Sequence, residues 1–319
     1  MQALQFTATG TLDSLQVKEV PKPELAKGEV LVEVRATGVN PSDIKNVQGL
    51  FPYTTLPRIP GRDFAGVVVD GPAHLLSQHV WGGSGKGFGF YRDGSHAQYV
   101  AVPANAVAPL PQSLSFSQAA TCGVPFITAW DALERSQVKT GTRLLIIGAG
   151  AVAKAAQVLA LARGANVVMA ARRAEVVQDL QAQNIAAFQL TEENLLSEQA
   201  SHHFQQQAPE AIFDTTGFWL DAAVNTIDTF GRIAIIAAPK DGIVNFSSLN
   251  LYRRGGSIVG VNSLLYTLEE CAQMLTHIGA AFDEGLPTPK DFIEIPLAEA
   301  VAAYEQVSAG AAEKMVLIP

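Results

Sequence analysis

Apolar positions follow two rhythms along the chain. Up to about residue 110 they alternate with polar ones over short runs, at 15–20 and 30–34, and 64–69 and 96–102 are further strand candidates. Pro21, Pro23, Gly28, Pro57, Pro60, Gly61, Gly82 and Gly83 punctuate these runs, a pattern that predicts a small barrel-like β module. Ser115 and Gln118 form a capping box that opens a helical stretch reaching Leu133. From 141 to about 263 the rhythm changes. Apolar runs at 143–147, 166–170, 186–188, 211–214, 232–237 and 257–261 alternate with helical stretches, which predicts a parallel sheet with helices on both faces. Two helical stretches, 267–282 and 297–308, and a strand at 315–318 end the chain. That tail is too short for a core of its own. It is expected to pack back on the N-terminal module, giving one discontinuous domain, 1–118 with 264–319, and a second domain over 119–263.

The composition narrows the class. The 319 residues suffice for two domains, and 48% of them are apolar, as in a soluble globular protein. A net charge of −8 gives no footprint for nucleic acid or an anionic membrane. No apolar run is long enough to span a bilayer, and the N-terminus lacks the features of a signal peptide. The two cysteines, Cys122 and Cys271, make neither a disulfide framework nor a zinc knot. A cytoplasmic location is expected.

The stretch RLLIIGAGAVAK at 143–154 joins a buried strand, a glycine turn and the start of a helix. Gly148, Gly150 and Ala153 have the G-x-G-x-x-G/A spacing of a dinucleotide-binding turn. The first glycine permits the tight turn, the second lets a pyrophosphate approach the backbone, and small Ala153 lets helix and strand pack closely. Free N–H groups of the turn, including Ala151 and Val152, and the positive end of the helix then face the phosphates. The same pattern also fits a strand-turn-helix with no ligand.

Several segments resemble the zinc-free quinone-oxidoreductase branch of the medium-chain dehydrogenase/reductase superfamily, the branch of zeta-crystallin and the alkenal/enone reductases. They are GVNPSDIK at 38–45, IPGRDFAGVV at 59–68, DGSHAQYV at 93–100, VPFITAW at 124–130, the glycine turn, FDTTG at 213–217 and EKMVLI at 313–318. The resemblance spans nearly the whole length. It implies an α/β fold, a GroES-like β-barrel domain beside a Rossmann doubly wound parallel sheet, with substrate and nicotinamide held between them. It also implies that Asn40, Arg62 and Cys122 stand where zinc alcohol dehydrogenases carry their three catalytic-zinc ligands. One cysteine facing an amide and a guanidinium cannot make that site, which needs three protein ligands and an open position. No metal is expected, and Cys122 reads as a small buried residue.

The cofactor expected is NADPH. About 20 residues past the turn, where NAD-binding sites place an acid for the ribose 2′-OH, the chain has Ala170 and Ala171, then Arg172 and Arg173, suited to a 2′-phosphate. The alternative is a solvated arginine pair at a helix start. By resemblance Thr128, Thr215, Gly217, Ala237, Ala238, Asn262 and Ser263 border the nicotinamide.

The resemblance places Asn40, Asp43 and Lys45 at the reacting centre. The Asn40 amide can donate to a substrate oxygen, and Asp43 and Lys45, two apart in an extended segment, share a face and can pair. The alternatives are turn chemistry at Asn40 and a surface pair at 43 and 45. Related enoyl reductases often carry a proton-donating tyrosine where this chain has Phe51. Tyr53 is the candidate substitute, and the departure argues against a strict enoyl-thioester reductase. In the loop GKGFGFYR at 85–92, Phe88, Phe90 or Tyr91 line an apolar mouth for a planar substrate with Phe51 and Phe126, or else the loop is a connection with one buried anchor.

The expected function is NADPH-dependent, metal-independent reduction of quinones or α,β-unsaturated carbonyls by a homodimer. A non-catalytic NADPH-binding protein of the crystallin kind and a relative of zinc alcohol dehydrogenases are the alternatives.

Overall fold

In the computed structural model, which describes residues 1–311 and 313–319, the chain forms two units: Met1–Ile127 with Ser263–Pro319, and Thr128–Asn262. The strands of the first part are β1 (Gln2–Phe6), β2 (Leu15–Glu19), β3 (Glu29–Gly38), β4 (Asp63–Asp70), β5 (His79–Gly83), β6 (Tyr99–Pro103) and β7 (Ala108–Pro109). Those of the middle are β8 (Arg143–Ile147), β9 (Asn166–Ala171), β10 (Ala187–Gln189), β11 (Ala211–Asp214), β12 (Arg232–Ile235) and β13 (Ser257–Gly260). The tail adds β14 (Phe292–Pro296) and β15 (Lys314–Ile318).

In the first unit, among the described residues, a sheet runs in the order β14-β15-β3-β4-β5-β7, with β6 also on β3 and β1-β2 as a separate ribbon. β3 is the longest strand and joins the most neighbours. Its alternation buries Val30, Val32 and Val34 against Phe64, Val68, Val80 and Phe88. Its register with β4 slips between Leu31 and Val32 and again between Val34 and Ala36, the irregularity that bends a strand round a barrel. The tail belongs to this unit. β15 pairs antiparallel with β3, and Tyr304, Met315 and Leu317 pack with Leu4, Phe6, Ile44 and Val47. Its apolar face has a core to join and too few residues to make another.

The second unit is a parallel sheet in the order β10-β9-β8-β11-β12-β13. With β8 as first strand this is the doubly wound order 3-2-1-4-5-6, which reverses direction between β8 and β11. Leu145, Ile147, Val168, Ile212 and Ile233 bury one face of it.

Three sequence expectations change. Residues 41–47 are a helix, Pro41–Val47, and not an extended segment, because Asn40 and Pro41 start a helix as readily as a turn. β6 begins at Tyr99 rather than at 96, with His96 turned into the interior. The boundary between units falls within the helix Gly123–Arg135, beyond the capping box at Ser115 and Gln118, which does form.

Candidate active site

In the first unit the sequence gathers charge where a core would be expected. Asp43, Arg62, Asp63 and Asn40 are each at most 2% exposed. The Asp43 carboxylate accepts the Asn40 backbone N–H at 2.8 Å, fixing the first turn of Pro41–Val47, and faces the Arg62 Nε at 3.3 Å. Arg62 also donates to the Ser42 hydroxyl and lies over the Phe90 ring, 5.6 Å from its centre. The Asn40 amide donates to Asp63 at 2.9 Å, and its oxygen accepts from the Lys314 ammonium. Lys314 stands 3.6 Å from the same Asp63 oxygen, Oδ2. The other, Oδ1, accepts the Val124 N–H at 2.7 Å at the start of Gly123–Arg135.

Two aspartates thus face two cations. Burial pushes the Asp63 carboxyl up and the Lys314 ammonium down, and each partner opposes the other's shift. Removing one member of such a pair strands a buried charge, at a cost of about 3–5 kcal/mol. Next to this group the His96 Nε2 lies 3.3 Å from the Gly38 carbonyl, which can only accept, so that nitrogen carries the proton. Nδ1 then accepts from the Tyr304 hydroxyl at 2.9 Å. Burial lowers the His96 pKa and raises that of Tyr304, so both stay neutral near pH 7.

The expected Asp43–Lys45 pair is corrected: two residues apart on a helix point in different directions, so Asp43 turns inward to Arg62 while Lys45 is exposed. The expected free Asn40 donor is corrected in part, since its oxygen and one amide hydrogen are engaged within the unit. The apolar mouth is corrected at Phe88 and Phe90. Both are fully buried, Phe88 against Phe64 at 5.9 Å and Phe90 against Phe51 at 5.0 Å. Gly85, Gly87 and Gly89, all at positive φ, coil the loop tightly enough to turn both rings inward. Phe126 is likewise buried and packs on Phe282 at 5.2 Å. Tyr53 stays 45% exposed and touches Phe51 and Phe90 at 5.9 and 5.4 Å between ring centres, and Tyr91 is exposed too.

In the second unit the glycine turn takes a specific shape. Gly148 has φ +112°, and a Cβ there would lie 2.2 Å from the Thr215 Oγ1, whose hydroxyl donates to the Ile147 carbonyl at 2.8 Å. Gly150 is the N-cap of the helix Ala151–Ala162, and a Cβ there meets nothing within 4 Å. Ala153 is fully buried. β9 ends at Ala171, and Arg172 and Arg173 follow, both exposed, with Glu175 3.8 Å from the Arg173 Nε. Gly217 has φ +82° and approaches the backbone of Ala237 so closely that a Cβ would lie 2.5 Å from it. Ala237 and Ala238 lie in the loop after β12, and Asn262 closes the unit after β13. Thr128 is a buried residue of Gly123–Arg135. Ser263 belongs to the first unit, where it bonds Ser84 at 2.8 Å.

Asp63, Lys314, Ser42, His96 and Tyr304 were not among the expected site residues. No local spacing links positions 40, 63 and 314, and the pairing of β4 and of β15 with β3 brings them together.

Residues 26–112 match the alcohol dehydrogenase GroES-like domain. The chain is 31% identical to the quinone oxidoreductase of Sus scrofa over 100% of its own length and 98% of that protein's. It is 36% identical to a zinc-type alcohol dehydrogenase-like protein of Schizosaccharomyces pombe, over 85% of this chain and 81% of the relative. Among solved structures, an alcohol dehydrogenase superfamily protein from Novosphingobium aromaticivorans superposes with a TM-score of 0.88 at 27% identity, covering 100% of this chain and 99% of that one. The chain belongs to the medium-chain dehydrogenase/reductase superfamily. It is an oxidoreductase of that family, and the family implies a nicotinamide cofactor.

The second unit fits such a cofactor, because the open face of Gly150 is the space a pyrophosphate would fill. Zinc, suggested by one relative's name, does not fit the first unit. Burial pushes the Cys122 thiol up to about 12, Lys314 occupies the Asn40 oxygen, and Arg62 is a fixed cation. Among the described residues no three His, Cys, Asp or Glu side chains are placed to hold a metal ion, and no helix is long and apolar enough to cross a membrane. Cys271 is buried like Cys122 and is also pushed up to about 12. In thiol titration at pH 8 the native protein is therefore expected to react at neither cysteine, and the unfolded chain at both.

Proposed function

We propose that the protein reduces quinones or α,β-unsaturated carbonyls with NADPH and without a metal. The observation that carries the cofactor choice is the end of β9, where no acid stands and two exposed arginines follow. The acceptor class rests on the likeness to a quinone oxidoreductase over the whole chain. Bound NADPH supplies a hydride. The chain's own residues do the rest. The glycine turn and the first turn of Ala151–Ala162 hold the pyrophosphate, and Arg172 with Arg173 grips the 2′-phosphate. Thr128, Thr215, Gly217, Ala237, Ala238 and Asn262 shape the nicotinamide side of this reading. The remaining amide hydrogen of Asn40 is the donor for the acceptor's oxygen as charge builds there. Tyr53, exposed at the aromatic cluster, is the proton source for the enolate carbon left after hydride addition to an enone, and water serves a hydroquinone oxygen.

The test is NADPH oxidation against naphthoquinone, benzoquinone, an enal, an enone and an enoyl thioester. Turnover of a quinone or enone above the thioester is the expected outcome. Tight NADPH binding with no turnover of any acceptor would favour a crystallin-like binding protein instead.

The same reading includes a homodimer joined at β13. Among the described residues this edge strand pairs with β12 alone. Phe230 and Tyr252 of the same unit are 74% and 68% exposed. Sedimentation is expected to show a dimer, and F230E with Y252E a monomer that still binds cofactor. A wild-type monomer at micromolar concentration would refute this.

A further inference from the structure

We propose that Lys314 is a positioning residue that acts through Asn40 and Asp63; the inference deepens the reductase reading and rests on it. The Lys314 ammonium donates to the Asn40 oxygen and faces Asp63, while the Asn40 amide donates to the same Asp63 oxygen. The three side chains close a ring. The remaining Asp63 oxygen takes the Val124 N–H, so the ring also fixes the first turn of Gly123–Arg135. One lysine on the last strand therefore sets the rotamer of Asn40 and the start of the helix that continues to Thr128.

The backbone is cut to fit this ring. A Cβ on Gly123 would lie 2.3 Å from Asp63 Oδ1. One on Gly38 would lie 2.2 Å from the Ala120 carbonyl oxygen and 3.1 Å from the Lys314 Cε. Neither glycine has a positive φ, so close approach, not backbone conformation, is what each permits. A buried ion pair seldom stabilises more than an apolar pair of the same shape. What this one supplies is a single geometry. Asn40 could swing its amide over only by giving up both partners at once, since its oxygen must face Lys314 and its nitrogen Asp63.

The test is the double variant D63N/K314M in the full chain. It removes both charges together, so no unpaired ion is left buried, and a carbonyl oxygen at 63 can still accept from Val124. Three readings are made on the wild type and the double variant: melting temperature, steady-state kinetics with the best acceptor, and amide hydrogen exchange over residues 38–47 and 122–128. The expected result is a folded variant in which exchange in both segments rises at least tenfold. Its kcat falls tenfold or more, while the KM and Kd for NADPH stay within about threefold because the glycine turn is untouched. Lys314→Arg, which keeps charge but not shape, is expected to recover folding and only part of kcat. Unchanged exchange in the folded double variant overturns the proposal, and so does raised exchange with wild-type kcat. If the wild type turns over no acceptor, the reductase reading fails on that separate result, and exchange alone decides whether Lys314 positions the two segments. A double variant that does not fold is replaced by Lys314→Arg, for which wild-type exchange and kcat together refute the idea.

Discussion

Gly150→Val is expected to leave the fold intact and to weaken NADPH binding by at least about 100-fold. A Cβ at this position meets nothing within 4 Å, so the branch point of the new side chain stands in open space. Gly150 has φ −76° and ψ −178°, a conformation any residue adopts. Beyond a small loss at the N-cap, where valine is less favoured than glycine, its main effect is to put three carbons where phosphate oxygens would reach the first N–H groups of Ala151–Ala162. Those hydrogen bonds to a charged group are worth about 1.5–3 kcal/mol each, and losing two gives the stated factor. Gly148→Ala is the contrasting control. A residue with a Cβ at φ +112° costs about 1–2 kcal/mol, and the contact with Thr215 adds about 1–3 kcal/mol of overpacking. Calorimetry and fluorescence titration together should show normal melting with lost binding for the first variant, and lowered melting for the second. Wild-type NADPH affinity in Gly150→Val would end the assignment of this turn.

Replacing Arg172 and Arg173 together by alanine should raise the Michaelis constant for NADPH by roughly 10–100-fold and leave that for NADH within about twofold. The first figure follows from one or two charge-assisted hydrogen bonds to the 2′-phosphate. The second follows because NADH lacks that phosphate. Both side chains are exposed, and the contact of Arg173 with Glu175, at 3.8 Å, is a weak surface pair that a phosphate can displace. The cofactor difference should shrink as salt rises, as expected for exposed charges. Equal loss with both cofactors would mean that the arginines hold the ribose or the fold rather than the phosphate.

The second unit was the more legible in sequence. Its strands are short apolar runs between helices, and 211–214 and 143–147 are the strands observed, because each run is buried on both faces and bounded by turn residues. The first unit was legible in class but not in detail. β5, β7 and β14 carry no clear alternation, since β14 is mostly exposed and β7 has only two residues. At 41–47 the period of two was wrong, and that error paired Asp43 with Lys45 instead of Arg62. The aromatic loop misled because glycine-rich segments read as open, whereas three positive-φ glycines here wind a coil that buries Phe88 and Phe90. The charge cluster was hidden for a different reason. Its members come from the helix after β3, the start of β4 and the start of β15, and a register between distant strands has no local signature.

β15 lies between β14 and β3, so the first unit lacks an inner strand until Lys314–Ile318 has been made. The second unit, uninterrupted in sequence, has no such wait. On the ribosome the order of maturation is therefore reversed: the middle of the nascent chain can close while the earlier-made portion still displays the open edge of β3. A chaperone that shields unpaired strands would be expected to hold the protein at β3 and to let go only once β15 has emerged.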